Sequence, residues 1–147
     1  GIADQSKNLG SYNHGFTYSG HPVSSAVALR NLELYEERNL MEHVNDMIPL
    51  FRERLKATAE LPLVGEARGV GLIGGIELVA DKTTRQPFDP ARKIGLKCSG
   101  MAENAGIIIR PMGDALALCP PLIIKEDEIN QLFDGLEATI RKLGNEL

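Results

Sequence analysis

The chain has 147 residues, of which 43% are hydrophobic and 24% charged, and its formal net charge is −4. That length can bury one hydrophobic core, and the composition is that of a folded domain rather than a disordered segment. The basic residues form no cluster, so a nucleic-acid surface is not expected. No apolar run approaches the roughly 20 residues of a membrane span, and no signal segment opens the sequence.

The first residues of the chain are predicted to form a loop followed by one helix. Residues 1–21 are rich in turn formers and have no sustained apolar period, which is typical of a loop. Pro22 suits the first turn of a helix that runs to about Arg38. Apolar residues cover most of this helix, which predicts burial against another domain or subunit: Ala26, Val27, Ala28, Leu29, Leu32 and Leu34.

A second helix is predicted from Asn39, which can cap it, to a point before Pro62. Pro49 interrupts its apolar pattern and should bend or split the helix near Met47, because an interior proline costs ~3 kcal/mol. The glycine-rich residues 64–79 then predict a strand, a tight bend and a second strand.

The glycines Gly69, Gly71 and Gly74 match a dinucleotide-binding pattern by letters. That pattern requires a helix immediately after it, so that backbone amides can face a pyrophosphate. The residues that follow are strand-like, so we interpret the glycines as permitting a bend or close packing.

The last third of the chain alternates helices with short strands. Residues 81–91 predict a polar loop, and a third helix over about 91–105 should end at Gly106. Two β-rich runs, 107–112 and 115–119, predict a hairpin around Gly113 and Asp114. A final helix carries one apolar stripe: Ile129, Leu132, Phe133, Leu136, Ile140 and Leu143. The predicted fold class is α/β in the loose sense (α+β), a small, largely antiparallel sheet with helices packed against it and a long helix before it.

Metal and thiol chemistry are not indicated by the sequence. Cys98 and Cys119 lie far apart in apolar surroundings, which predicts reduced thiols and suits the cytoplasm. No histidine has Cys or carboxylate neighbours at ligand spacing, so no metal site is predicted from His14 and His21. The chain opens at Gly1 without Met, so we expect it to come from the middle of a longer protein.

Two places in the sequence have candidate binding residues. Arg110 ends a run of isoleucines, where its guanidinium needs a partner, either a ligand carboxylate, an internal acidic residue or water. The stretch His14–Pro22 offers hydroxyls, amides and a helix start. It could hold a phosphate, or it could be a turn with its hydroxyls satisfied locally.

The stretch from His14 to Pro22 resembles the segment after the catalytic lysine in class III aminotransferases. Within it, the sequence Tyr18-Ser19-Gly20-His21-Pro22 is similar to the corresponding segment in the ω-amino acid:pyruvate branch of that family. The stretches 68–78 and 105–122 resemble the small-domain strands of the same family. The order and spacing of these motifs agree from about residue 10 to the end.

The resemblance implies a fold-type I homodimer that uses pyridoxal phosphate. Residues 1–38 would be a loop and interface helix from the end of the large cofactor-binding domain, and residues 39–147 the C-terminal small domain. Phe16 and Thr17 would bind the cofactor phosphate of the other subunit. Arg110 would be the mobile arginine that pairs with the substrate carboxylate and swings aside for apolar amines.

The family's Schiff-base lysine, the acidic partner of the pyridine nitrogen and the aromatic stacked on the ring all precede this stretch. Lys7 has neither the position nor the context of that lysine, so no catalytic residue is assigned in this chain. The resemblance implies transfer of an amino group from an ω-amino acid or amine to pyruvate, and the chain alone is predicted to be inactive. The alternatives are another class III aminotransferase, acting on diamines or 4-aminobutyrate, and a non-catalytic α/β binding or regulatory domain.

Overall fold

A computed structural model describes Asp4 and residues 15–147 of the chain. The polypeptide divides into two compact units, Gly1–Arg38 and Asn39–Leu147. Two residues discussed above, His14 and Lys7, lie outside the described residues. The elements in chain order are helices α1 (Pro22–Glu37) and α2 (Leu40–Thr58), strands β1 (Val64–Val70) and β2 (Ile73–Leu78), a 3-10 turn (Pro90–Arg92), helix α3 (Ile94–Asn104), strands β3 (Arg110–Met112) and β4 (Ala115–Leu118), and helix α4 (Glu126–Asn145).

Among the described residues, the cap and ion pairs of helix α1 are local interactions. The His21 ring accepts a hydrogen bond from the Ser24 amide at 3.4 Å and so caps the helix, with Pro22 in its first turn. Arg30 pairs with Glu33 at 2.9 Å and with Glu37 at 2.7 Å. No residue of α1 is buried within the described chain, although the helix is rich in apolar side chains. Its burial against another domain or subunit therefore stays a prediction.

Helix α2 departs from the sequence expectation at two residues. Asn39 precedes the helix in a left-handed conformation (φ 48°) and makes no side-chain cap. Its amide instead donates to the Glu42 carboxylate, so the predicted capping role is wrong. The helix also runs unbroken through Pro49, so it is bent at most and not split. Burial of flanking residues such as Met47 and Phe51 in the core offsets the lost hydrogen bond.

The sheet has four strands in the order β1-β2-β4-β3, and every neighbouring pair is antiparallel. The predicted hairpin at 64–79 is confirmed, with Gly71 at φ +59° in the turn. A Cβ on Gly69 would lie 2.4 Å from the Ile73 carbonyl oxygen and 2.8 Å from Leu55. The glycines thus permit a turn and close packing on α2, and no helix N-terminus follows them.

The second hairpin is shorter than predicted. Strand β3 begins only at Arg110, and residues 107–109 precede it outside the ladder. Ile107 and Ile109 are buried whereas Ile108 is 90% exposed, so the segment alternates like a strand without a partner strand. Helix α3 begins at Ile94, after the 3-10 turn, and the predicted stop at Gly106 is confirmed by its φ of +82°.

The core of residues 39–147 lies between one face of the sheet and helices α2, α3 and α4. Phe51 of α2 meets Phe133 of α4 edge to face, with ring centroids 5.2 Å apart. Arg54 ties the same two helices together, donating to Asn130 at 2.9 Å and to Asp134 at 2.6 Å. The apolar stripe predicted for the last helix is buried here, apart from the half-buried Leu132.

No described helix combines the length and the apolar character that crossing a bilayer requires. Among the same residues, no group of three or more histidines, cysteines or carboxylates could hold a metal ion.

The two free cysteines occupy opposite environments, and we expect them to react differently. Cys98 is fully buried, and burial raises the pKa of its thiol to about 11, whereas Cys119 is exposed. Because a raised pKa keeps a thiol protonated and unreactive below that pH, a chromogenic disulfide reagent at pH 8 should label one thiol per native chain. Unfolding in guanidinium should release the second. Fast labelling of two thiols in the native chain would contradict the burial of Cys98.

Candidate functional site

A tight turn precedes helix α1. The Ser19 amide donates to the Phe16 carbonyl at 2.9 Å, and the His21 amide donates to the Tyr18 carbonyl at 3.0 Å. The Phe16 amide donates in turn to the Ser19 hydroxyl oxygen at 3.1 Å. Gly20 closes the turn at φ +75°, a conformation that residues with a side chain rarely adopt. The backbone at Thr17 is therefore held by its neighbours.

Thr17 has two unused hydrogen-bond donors. Neither its amide nor its hydroxyl has a partner among the described residues, and the side chain is exposed. The Ser19 hydroxyl, by contrast, accepts a hydrogen bond inside the turn. Ser19 therefore agrees with the other interpretation of this stretch, a turn with its hydroxyls satisfied locally. A hydroxyl and an amide side by side, just before the positive end of a helix, fit a phosphate oxyanion. The amide of Phe16 is already bonded, so only its 74% exposed ring is available to a ligand.

Arg110 is the first residue of β3, one of the two edge strands of the sheet. Its side chain is exposed and has no ion-pair or hydrogen-bond partner in the part of the chain that the structure describes. Ile108 is 90% exposed and Met112 57% exposed, and both lie on the same side of the extended segment as Arg110. The internal salt bridge that the sequence left open is absent among the described residues. A guanidinium between apolar side chains is available for a carboxylate.

Helix α3 holds the hairpin that presents Arg110. The Gly95 amide donates to the Asp114 carboxylate at 2.8 Å, and the Ser99 hydroxyl donates to the Ile109 carbonyl at 3.1 Å. A Cβ on Gly95 would lie 2.1 Å from the Gly113 carbonyl oxygen, so helix and turn touch directly. The sequence does not point to Gly95 or Ser99, and it predicts Asp114 as a turn residue alone. No local pattern links positions 19 residues apart.

The arrangement of this chain is shared with solved transaminases. A transaminase structure with L-alanine superposes on 99% of the chain with a TM-score of 0.86 at 43% identity, and the chain covers 34% of it. The pyridoxamine-phosphate-bound aminotransferase from Vibrio fluvialis superposes with a TM-score of 0.86 at 36% identity, over 99% of this chain and 32% of that one. Both comparisons define the fold as that of a transaminase.

Sequence comparisons agree with the structural ones. The family described as aminotransferase class-III matches residues 2–140. A probable gamma-aminobutyrate transaminase 3 from Oryza sativa is 45% identical over 97% of the chain, which covers 29% of that protein. The adenosylmethionine-8-amino-7-oxononanoate aminotransferase of Aquifex aeolicus is 40% identical over 91%, and 30% of it is covered. The chain belongs to the class III aminotransferase family, and it spans about a third of the length of these relatives.

Proposed function

We propose that the chain is the C-terminal part of a pyridoxal-phosphate enzyme that moves an amino group from an ω-amino acid or amine to pyruvate. The observation that carries this proposal is the unpaired guanidinium of Arg110 on an edge strand, within a chain that belongs to the class III aminotransferases. The guanidinium binds and orients the donor carboxylate through paired N–H donors. When the donor has no carboxylate, the side chain moves away.

The cofactor of the proposed enzyme is held in part by the turn before α1. Thr17 donates its hydroxyl and amide to the phosphate, which the helix N-terminus further stabilises. Bound pyridoxal phosphate supplies the electron sink for removing a proton from the carbon that bears the amino group. The Schiff-base lysine that the family resemblance implies would lie outside these 147 residues. The isolated chain is accordingly expected to give no transamination and to bind the cofactor weakly.

A homodimer is part of the proposal. Residues 1–38 would supply a loop and an interface helix from the end of the large domain, and residues 39–147 would form the small domain. The support for an interface is the exposure of apolar residues on α1, among them Val23, Val27 and Leu32. A reducing location such as the cytoplasm suits the two free cysteines, although plant relatives have names that place them in mitochondria or chloroplasts.

The proposed assignment of pyruvate as acceptor and an ω-amino acid as donor has one specific alternative. Several relatives, from rice and tomato, have names that describe gamma-aminobutyrate transaminases, and they are 41–46% identical to this chain. Donor and acceptor profiling of the full-length enzyme distinguishes the candidates. A preference for 4-aminobutyrate over other amines and diamines would support that narrower activity.

The role of Thr17 is tested by cofactor binding rather than by turnover. In the full-length dimer, Thr17→Val keeps the amide but removes the hydroxyl. We expect about tenfold weaker binding of pyridoxal phosphate, since a hydrogen bond to a charged group contributes about 1.5 kcal/mol. Spectrophotometric titration of the cofactor-free protein measures this. Thr83→Val, in the exposed loop after β2, is the matched control and should bind normally. Equal affinity of both variants for pyridoxal phosphate would contradict a role for the Thr17 hydroxyl in binding the phosphate.

A further inference from the structure

The sheet has one face covered by helices and one face open within residues 39–147. Ile76 and Leu116 point into the helix-covered face and are fully buried. The residues one step away, Gly75 and Ala117, point to the other face and are only partly covered. A Cβ on Gly75 would meet no heavy atom of the described residues closer than the Arg68 carbonyl oxygen at 3.9 Å. Within residues 39–147 there is therefore free space above the middle of this face.

Arg110 stands at one end of a row that crosses this open face. Arg110 pairs with Ala117, Ala117 with Gly75, and Gly75 with Arg68. Directly opposed residues of an antiparallel sheet share a face, so all four lie on the open side. We call the two small residues between the arginines, Gly75 and Ala117, the shelf. An arginine stem extending from β3 towards the sheet centre has to lie on this shelf.

The far side of the shelf is negatively charged. Arg68 pairs with Glu77 at 2.7 Å and approaches Glu66 at 3.5 Å, so one positive group faces two carboxylates. The excess negative charge attracts a second guanidinium and repels a carboxylate. A substrate carboxylate is consequently disfavoured above the shelf, whereas the side chain of Arg110 is favoured there.

We propose that the shelf receives the Arg110 side chain when the amino donor has no carboxylate, and that Ala117 is the positioning residue that sets this choice. The inference rests on the proposed role of Arg110 as the carboxylate-binding group. Ala117 is small enough to leave the path across the strand open. A larger side chain there blocks retraction and holds the guanidinium where it meets the donor, which excludes apolar donors and leaves carboxylate binding intact.

The test compares two donors of the full-length enzyme that differ only at one end, butylamine and 4-aminobutyrate. We expect Ala117→Leu to raise KM for butylamine about tenfold and to change KM for 4-aminobutyrate by roughly twofold at most. Gly75→Ala adds a methyl group to the same shelf, at a place with room for a Cβ, so we expect this variant to fold. It should raise KM for butylamine less than Ala117→Leu does. Ala57→Leu makes the same substitution at an exposed position of α2, on the other side of the sheet, and as the matched control it should leave the ratio of the two KM values unchanged.

Calorimetric binding of pentanoate, an unreactive carboxylate, provides a second measurement that does not depend on turnover. Ala117→Leu should bind it as tightly as the unmodified enzyme or more tightly. An unchanged KM ratio in both shelf variants, an equal rise for both donors, or weaker pentanoate binding would each overturn the inference. None of these three outcomes would contradict the proposed function. The proposed function is contradicted by a different result, an unaltered KM for 4-aminobutyrate in Arg110→Ala.

Discussion

Replacing Arg110 by alanine in the full-length enzyme should raise KM for 4-aminobutyrate about a hundredfold while leaving KM for butylamine within about twofold, because paired charge-assisted hydrogen bonds to the carboxylate are lost. The guanidinium has no internal partner among the described residues, so its removal leaves no buried acid uncompensated. Steady-state kinetics with the two donors measure the effect.

Two further variants separate shape from charge at this position. Arg110→Lys keeps the charge but loses the planar fork, so we expect only partial recovery of carboxylate binding. Arg52→Ala removes one positive charge from the exposed side of α2 and should have no effect on either donor. If Arg52→Ala raised KM for 4-aminobutyrate as much as Arg110→Ala does, net charge rather than a specific pairing would explain the result.

The second large effect is expected at Gly95. A methyl group there would lie 2.1 Å from the Gly113 carbonyl oxygen and 3.0 Å from the Asp114 Cα, both of which belong to the backbone and cannot rotate away. Gly95→Ala should lower the free energy of unfolding by about 2–3 kcal/mol, as overpacking does in tight cores. It should also displace the hairpin that begins at Arg110 and raise KM for 4-aminobutyrate about tenfold.

Gly100 is the matched control, because it lies in the same helix with no heavy atom of the described residues within 4 Å of an added Cβ. Alanine has the better helix propensity, so Gly100→Ala should stabilise the protein by up to about 1 kcal/mol. Thermal melts of the two variants should therefore shift in opposite directions. A shift of the same sign in both would mean that helix propensity, and not contact with the hairpin, decides the outcome at Gly95.

The sequence predicted the elements whose signals are local. The hairpin at 64–79 follows from glycines between β-branched residues, and α4 follows from an apolar stripe at helical spacing. Expectations failed where tertiary contacts outweigh local preference. The helix is not split at Pro49, because the neighbours of this residue are buried, so of the two predicted outcomes only a bend remains. Residues 107–109 lack a partner strand among the described residues despite their β-branched side chains.

For the candidate site, the sequence predicts which residues could bind a ligand but not the contacts that hold them in place. Arg110 and Thr17 are predicted site residues on the basis of residue type, context and family resemblance, and the structure adds that neither has a partner among the described residues. The supports of Arg110 were not predictable, since Gly95 and Asp114 meet only after the chain has folded. The row that joins Arg110 to Ala117 likewise depends on strand register, which no short sequence pattern specifies.

Helix α1 has a thermodynamic consequence for the proposed enzyme. A helix of 16 residues without buried side chains is marginal in water, because its cap and ion pairs contribute only fractions of a kcal/mol each. In the proposed homodimer its order would depend on subunit association, and the turn at Thr17 leads directly into it. If the proposed dimer forms, its dilution should release the cofactor, so the apparent affinity for pyridoxal phosphate would vary with enzyme concentration through mass action.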